Sequence, residues 1–342
     1  MGEKSKVTIY DLAQKLGTTA STVSRALQDN PRISLKTREA VKQLARELNY
    51  IPDPIAHHLR TGKGNVLGIV VPRIDRNFFA TIISAFQAVA QKSGYQLIIA
   101  QSNENADEEA AAVRALVQKK VDGIAISLSV NSQNVDYPEL CSAHNIPIVF
   151  FDRTPSDFQN YDTVTNDNFQ IGYDAVLQLY KRGCRKIGHF SGPMTQRSYI
   201  DRYRGFRKAL EDLHLDYHQE WIIPGITEAT GYDAALRILQ MNERPDGIFS
   251  AGDFSAITAM DTFMKKGLSI PRDIAIIGVA NEPLDAYLAT PLSSFNLHRH
   301  QIGEMTASIL ISRIKGDDDN QELEQPSHII VKHELILRDS SI

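Results

Sequence analysis

Apolar residues recur at helical spacing in three short segments within the first fifty residues. Thr8 and Asp11 have the spacing of a capping box for a first helix, which Gly17 ends. Thr19 can cap a second helix over residues 20–27, and a third helix is predicted to follow. The predicted inward-facing residues are Leu12, Ala13, Leu16, Val23, Ala26, Leu27, Val41, Leu44, Ala45 and Leu48. Two short helices joined by a glycine-containing turn and braced by a third are typical of a helix-turn-helix.

From residue 65 onward, apolar runs alternate with helical stretches. The predicted strands are residues 65–71, 95–100, 121–127, 146–151, 186–191, 246–251 and 273–279. Consecutive apolar positions indicate strands buried on both faces, as in parallel α/β sheets. VDGI at 121–124 and PDGI at 245–248 indicate a repeated unit. We therefore predict an all-α head at 1–50, a hinge and linker at 51–64, and an α/β body of two doubly wound parallel-sheet lobes at 65–342.

Charge is distributed unevenly along the 342 residues, whose formal net charge is −4. Residues 1–62 hold ten lysines and arginines against six acidic residues, a net charge of +4. The rest holds 27 basic against 35 acidic residues, a net charge of −8. A basic head on an acidic body fits a nucleic-acid-binding module joined to a second function, although many solvated protein surfaces have a similar charge.

No run of about 18 apolar residues indicates a transmembrane helix, and the start lacks the apolar stretch of a signal peptide. Cys141 and Cys184 lie far apart without a CxxC pattern, which favours buried or free thiols in a reducing compartment. A cytoplasmic protein with no membrane partner is expected.

The second predicted helix leaves Ala20, Ser21, Thr22, Ser24 and Arg25 for its outer face. A recognition helix must enter a major groove about 12 Å wide, so slim residues let it go deep. Hydroxyls can reach base edges or phosphates, and an arginine can bind guanine with two hydrogen bonds. The alternative is an ordinary three-helix bundle with a polar exposed face.

A short helix is predicted after Asp53, which can cap it, with Pro54 at its first position. A helix of about two turns is marginal alone and should fold only against a partner. His57 and His58 are adjacent and do not share a helix face, so groove contact or solvent exposure is expected there rather than a metal site.

Polar and aromatic residues follow several predicted strands, where ligands bind in open α/β sheets. These residues are Asn77, Phe78, Phe79, Ser102, Asp152, Arg153, Arg202, Gly252, Asp253, Asn281 and Glu282. Strand-end polar residues often only cap helices, but their convergence from both halves of the body favours a binding cleft. No GxGxxG after a strand, P-loop, GxSxG or HExxH is present, so an enzyme is not expected.

The segments VTIYDLAQKLGTTASTVSRAL and ISLKTREAVKQLARELNYIPDPIAHHLR resemble the N-terminus of the lactose-repressor (LacI/GalR) family. The hinge DPIAHHL departs from the family pattern by placing Asp53 where asparagine is common. The resemblance implies that Leu59 is a wedge between base steps and that Ala56 lets two hinge helices approach over the minor groove. The predicted DNA-binding residues are Thr8, Thr19, Ala20, Ser21, Thr22, Ser24, Arg25, Ile33, Ala56, His57 and Leu59.

The body resembles the effector domain of the same family, which is similar to periplasmic sugar-binding proteins. NFF, FDR, the RxxGF around Arg202 and TPLSSF match family positions. The resemblance implies effector contacts, predicted as Phe78, Phe79, Ser102, Asp152, Arg202, Asp253 and Asn281. Gly252 replaces the usual asparagine, and GVAN at 278–281 replaces a GYDD-like turn, so one expected carboxylate is gone.

The sequence therefore favours a transcription regulator, most simply a repressor, that binds a pseudo-palindromic operator as a homodimer. Its expected effector is a sugar, sugar acid or sugar phosphate held between the lobes, with no cofactor and no metal. A solute-binding protein for transport is the alternative from another class, but it would leave the basic head unexplained and would require export.

Overall fold

The computed structural model describes residues 7–50, 64–132, 136–316 and 325–342. The chain divides into two units, residues 1–64 and residues 65–342, and each is described by itself. The predicted hinge helix lies outside the described residues, and so do Ala56, His57 and Leu59.

Residues 7–50 form three helices: α1 Ile9–Lys15, α2 Ala20–Leu27 and α3 Leu35–Glu47. Each helix has a hydroxyl side chain as its N-cap. Thr8, Thr19 and Ser34 each accept a hydrogen bond from the backbone N–H three residues later. The helices pack around Leu12, Ala13, Val23, Ala26, Val41 and Ala45. The predicted helix-turn-helix is confirmed.

The body contains strands and helices in alternation. Its strands are β1 Val66–Val71, β2 Gln96–Gln101, β3 Gly123–Ile126, β4 Ile148–Phe151, β5 Asp162–Asn166, β6 Ile187–Ser191, β7 Ile222–Pro224, β8 Gly247–Ser250, β9 Ala275–Val279, β10 Ser293–Asn296, β11 His328–Val331 and β12 Glu334–Ile336. Its helices are α4 Asn77–Lys92, α5 Ala106–Gln118, α6 Tyr137–Ser142, α7 Asn168–Arg182, α8 Arg197–Asp212, α9 Glu228–Leu239, α10 Asp253–Lys265 and α11 Arg299–Lys315. Short 3-10 helices cover Phe158–Asn160, Gln219–Trp221 and Pro283–Tyr287.

Two six-stranded sheets form the two lobes, in the orders β11-β5-β4-β3-β1-β2 and β12-β10-β9-β8-β6-β7. In the first lobe the strand pairs are parallel, and α4 and α11 cover one face of the sheet while α5 and α6 cover the other. In the second lobe α7 and α8 cover one face and α9 and α10 the other. This agrees with the predicted doubly wound lobes, except that the edge strand β12 pairs antiparallel with β10.

The chain passes between the lobes three times, after β5, after β10 and between β11 and β12. The first lobe is therefore completed by α11 and β11, which follow the second lobe's main strands in sequence. Asn166 sits at the first crossing and donates hydrogen bonds from Nδ2 to the carbonyls of Leu297 and Val331, at 3.2 and 2.9 Å. One buried amide thus connects all three crossing segments.

Helices α7 and α8 meet in backbone contact at a pair of glycines. A Cβ on Gly172 would lie 1.9 Å from the carbonyl oxygen of Arg202, and one on Gly205 would lie 1.8 Å from that of Phe169. The absence of side chains at both positions sets how close the helices come. That closeness lets Arg202 Nε donate to Asn168 Oδ1 at 2.9 Å.

Gly205→Ala is therefore expected to force α7 and α8 apart and lower the free energy of unfolding by about 3 kcal/mol, the upper part of the overpacking range. Urea denaturation of the full chain measures the change. Gly225→Ala is the control, because a Cβ there meets its nearest neighbour at 3.5 Å, an ordinary contact. Equal stabilities of the two variants would contradict the close-packed arrangement.

Within the described ranges 7–50, 64–132, 136–316 and 325–342, no helix combines the length and the apolar character needed to cross a bilayer.

Candidate functional site

Helix α2 has a polar outer face and a small apolar inner face, formed by Val23 and Ala26, that packs on the core of the head. Val23 and Ala26 are fully buried, whereas Ser21 and Arg25 are exposed. Ala20, Thr22 and Ser24 are half-buried along the same helix. The Arg25 guanidinium forms no hydrogen bond or ion pair with the part of the chain that the structure describes, so it is available to an external acceptor.

The other predicted DNA-binding residues of the head support the helix ends. Thr8 completes a capping box, in which its N–H and hydroxyl both donate to Asp11 Oδ2 at 2.7 Å. Thr19 caps α2 by accepting from the Thr22 N–H at 3.2 Å. Ile33 is half-buried against the core of the head. The Thr19 contact fixes the N-terminus of α2 without burying its outer face.

A cavity of about 210 Å³ lies between the two lobes of the body. Five of the seven predicted effector residues line it: Phe78, Phe79, Asp152, Arg202 and Asp253. Other lining residues that the sequence did not single out as contacts include Arg76, Glu104, Tyr199, Phe254 and Glu282. Most of these also follow strand ends, which is the signal that could have found them.

Ser102 and Asn281 are not among the residues that line this cavity. The buried Ser102 hydroxyl lies 2.8 Å from the Ser129 hydroxyl, and Asn281 Oδ1 accepts from Arg338 Nη2 at 2.7 Å. Both side chains are thus engaged by the protein, and effector contact by either one stays a prediction.

Arg202 is a buried cation held by neutral partners. Its Nε donates to Asn168 Oδ1 and its Nη1 to the Ala251 carbonyl, both at 2.9 Å. No carboxylate of the described residues forms an ion pair with it, and burial lowers the pKa of its guanidinium. The Tyr199 ring centroid lies 5.4 Å from the guanidinium carbon. A cation so placed favours a negatively charged or strongly accepting group in the cavity.

Asp152 follows β4 with a left-handed backbone, φ 57°. Burial raises the pKa of its carboxyl group, and the neighbouring Arg153 and Arg202 partly offset that effect. Arg153 itself is paired with Glu104, its Nη1 lying 2.7 Å from Oε2. Arg153 Nε also lies 4.0 Å from Asp152 Oδ2, so the Asp152 carboxylate is only loosely paired and can accept hydrogen bonds from a ligand.

Asp253 begins α10 and is almost fully buried. Its Oδ1 accepts from Ser294 Oγ at 2.7 Å, and its Oδ2 accepts from the Glu282 N–H at 3.1 Å. Burial raises the pKa of Asp253. Nearby Asp285 is fully buried, and its carboxyl group hydrogen-bonds to the carboxylate of Asp253. Burial first, then the Asp253 charge, raises the pKa of Asp285 to about 9, so Asp285 holds a proton at neutral pH.

Several contacts join the lobes near the cavity, and Arg76 and Gln196 make two sets of them. Arg76 of the first lobe binds Glu228 of the second with two hydrogen bonds, at 2.7 and 3.2 Å, and its guanidinium lies 4.3 Å from the centre of the Phe254 ring. Gln196 of the second lobe is buried and donates from Nε2 to the carbonyls of Ser129 and Ser132, at 2.8 and 2.9 Å. These contacts hold the lobes together around the cavity.

Two family models match the chain. The model for bacterial regulatory proteins of the lacI family matches residues 8–53, and the model for periplasmic binding proteins and the sugar binding domain of the LacI family matches residues 64–339. The chain is 31% identical over 338 residues to the HTH-type transcriptional repressor PurR of Photorhabdus laumondii, covering 96% of this chain and 97% of that one. The PurR repressor of Proteus mirabilis is 31% identical over 337 residues, covering 96% of each chain.

Solved structures share the fold. The lac repressor dimer bound to operator and the anti-inducer ONPF matches with a TM-score of 0.86 at 22% identity, covering 98% of this chain and 99% of that one. The complex of the transcriptional regulator CelR with cellobiose matches with a TM-score of 0.74 at 24% identity, with the same coverage. Both likenesses bear on the fold: a helical head followed by two parallel-sheet lobes.

The raised pKa of Asp285 should make the free energy of unfolding depend on pH. An unfolded aspartate has a pKa of about 3.9, so above that pH the folded chain keeps a proton that the unfolded chain releases. The contribution of this group to the free energy of unfolding therefore falls as the pH rises from about 4 through about 9. Asp285→Asn is neutral throughout, so the variant should gain stability relative to wild type between about pH 5 and about pH 8.

Urea denaturation at several pH values measures that gain. The exposed Asp233, replaced by asparagine, is the control and should leave the pH dependence unchanged. A difference between Asp285→Asn and wild type that is the same at every pH would contradict a protonated Asp285.

Proposed function

This chain belongs to the LacI family of bacterial regulatory proteins, and we propose that it represses transcription by binding a pseudo-palindromic operator as a homodimer under the control of a small polar effector. The family consists of DNA-binding transcriptional regulators, which are not enzymes. We place the protein in the cytoplasm, where its operator is found.

The proposed DNA contact is the outer face of α2. Exposed Ser21 and Arg25 and the half-buried Ala20, Thr22 and Ser24 are narrow enough for the helix to lie deep in a major groove. One head reads one half-site, so two heads related by a two-fold axis suit an operator with two-fold symmetry. Leu59 is proposed as the minor-groove wedge, and Ala56 and His57 are proposed as further DNA-binding residues of the hinge.

The proposed effector is a sugar or sugar derivative, including sugar acids and sugar phosphates, bound in the cavity. The observation that carries this proposal is the buried Arg202, a cation without an acidic ion-pair partner among the described residues, on the wall of a cavity with aromatic sides. Phe79 can stack on a ring face, Asp152 can accept from hydroxyls, and Arg202 can donate in a fixed fork.

We propose that the effector acts by favouring one arrangement of the two lobes, which changes the spacing of the paired hinge helices. Moving a population from almost fully DNA-competent to almost fully incompetent requires a preference of about 5.5 kcal/mol between the arrangements. Arg76–Glu228 and the Gln196 contacts are among the lobe-to-lobe interactions that such a rearrangement would make or break. We expect induction, with effector binding releasing the operator.

Arg25→Ala should weaken binding to an operator selected in vitro by about 1–3 kcal/mol, the value of a lost bidentate base contact. Fluorescence anisotropy at fixed salt measures affinity for the operator and for a scrambled duplex. Arg46→Ala, which removes an exposed arginine from α3, controls for the loss of one positive charge. Equal losses on both duplexes with Arg25→Ala would demote Arg25 to a phosphate contact.

Arg202→Ala should cost about 1.5–3 kcal/mol of effector affinity, the range for a hydrogen bond to a charged group. The affinity of the effector-free protein for operator should change little, because Arg202 lies in the body. Calorimetry uses the compound that most raises the melting temperature in a panel of D-glucose, D-gluconate, glucose 6-phosphate and adenine. Arg204→Ala is the matched control, because Arg204 is an exposed arginine two residues after Arg202 on the same helix, α8. Normal binding by Arg202→Ala would refute the proposed site.

A further inference from the structure

We infer that Glu282 is the second-lobe carboxylate that contacts the effector, and that Asp253 is a positioning residue acting through it. The inference rests on the proposed effector function of the cavity and assigns a specificity-determining residue within it. The strand-end pattern places Glu282 near the predicted cleft, but it does not make Glu282 an effector contact, and the loss of the GYDD-like turn does not name a replacement.

Both oxygens of Asp253 are committed to the protein. Ser294 Oγ donates to Oδ1 and the Glu282 N–H donates to Oδ2, at 2.7 and 3.1 Å. Oδ1 also lies against β9, since a Cβ on Gly278 would be 2.1 Å from it. The glycine makes room for the carboxylate, and the carboxylate in turn holds the segment that follows β9.

That segment adopts a backbone which residues other than glycine seldom take. Ala280 has φ 129° and Asn281 has φ 49°. The Asn281 N–H donates to Ser294 Oγ at 2.9 Å, and the Asn281 carbonyl accepts from Arg299 Nη2 at 2.9 Å. Because the side chains of Ser294 and Arg299 hold this backbone conformation, the direction of the next residue is fixed.

The next residue is Glu282, which lines the cavity. Only 5% of its surface is exposed, and Arg299 Nη1 lies 3.3 Å from Oε1. The side chain of Asn77, from the first lobe, also hydrogen-bonds to this carboxylate. Glu282 is therefore an acceptor presented by a rigid turn, and Arg299 and Asn77 orient it from the other side.

A carboxylate in this position determines which functional groups of the effector can bind beside it. It accepts a hydrogen bond from a hydroxyl or N–H of the effector, and it repels a carboxylate or phosphate at this end of the cavity. An anionic group of a sugar acid or sugar phosphate would then have to lie at Arg202. The missing acid of the GYDD-like turn is thus replaced by one from the following residue, with a different direction of approach.

The test begins with the best-binding compound of the panel of D-glucose, D-gluconate, glucose 6-phosphate and adenine. Calorimetry on the full chain compares that compound with analogues that each lack one hydrogen-bond donor. Wild type should bind one analogue at least tenfold more weakly than the parent compound. Glu282→Gln should bind the parent about tenfold more weakly and should no longer distinguish it from that analogue.

Asp253→Asn provides the readout for a positioning role. It should weaken binding of the parent and of every analogue by a similar factor, because it loosens the turn but retains the Glu282 carboxylate. Glu282→Asp, which retracts the carboxylate, should shift the sensitivity to a different donor, and it serves if Glu282→Gln folds poorly. The exposed Glu220, replaced by glutamine, is the control and should bind like wild type.

The outcomes separate the two proposals. If no panel compound binds wild type, the proposed effector class is wrong, and the assignment of Glu282 falls with it. If a compound binds but Glu282→Gln keeps wild-type affinity and discrimination, the cavity stands and the role of Glu282 is refuted. Loss of discrimination in Asp253→Asn with Glu282→Gln unchanged would return the contact to Asp253.

Discussion

The amide of Asn166 is the interaction on which the two-lobed body depends. Its Nδ2 donates to carbonyls of the two other segments that pass between the lobes, at Leu297 and Val331. Both carbonyls would lose a partner if that amide were removed, and unpaired buried carbonyls are costly. The three segments that cross between the lobes therefore meet at one point. The two lobes, each with its own packed sheet, can rotate about this point as rigid bodies.

The same point leads directly into the cavity. Asn168 donates from Nδ2 to the Asn166 carbonyl at 3.2 Å, and its Oδ1 accepts from Arg202. A continuous series of hydrogen bonds therefore joins the crossing point to the cation proposed to hold the effector. The glycine contact between α7 and α8 keeps this series short. A ligand that pulls on Arg202 acts on the crossing point through one intervening side chain, that of Asn168.

The sequence predicted those parts of the fold whose side chains face apolar surroundings on both sides. The runs at 65–71 and 273–279 became β1 and β9 because each is enclosed between helices. The pattern did not reveal β10, since Ser293 and Ser294 are buried only by virtue of partners distant in sequence, such as Ser340 and Asp253. Alternation of apolar residues cannot register the Ser293 hydroxyl, which donates to the Arg338 carbonyl 45 positions away.

The sequence also located some residues of the candidate site and missed the direction of others. Strand ends located Phe79, Asp152 and Arg202 at the cavity, because parallel strands bring their carboxyl ends to one edge. Where a side chain points after the strand depends on the local backbone, and the left-handed Asn281 turns toward Arg338 while Glu282 turns toward the cavity. Only the three-dimensional hydrogen-bond network distinguishes the two.

The interleaved path of the chain also governs the order in which the protein can be built on the ribosome. The first lobe has all of β1 to β5 by residue 166, yet α11 and β11 that cover and extend its sheet end at residues 315 and 331. At ordinary rates of synthesis that interval lasts roughly 8–33 s. Throughout it, the face of the sheet that α11 covers, including Leu67 and Ile69, has no helix from the C-terminal segment against it. The helical head is complete from the outset, whereas the nascent body presents an apolar surface to chaperones and to neighbouring chains until translation is almost finished.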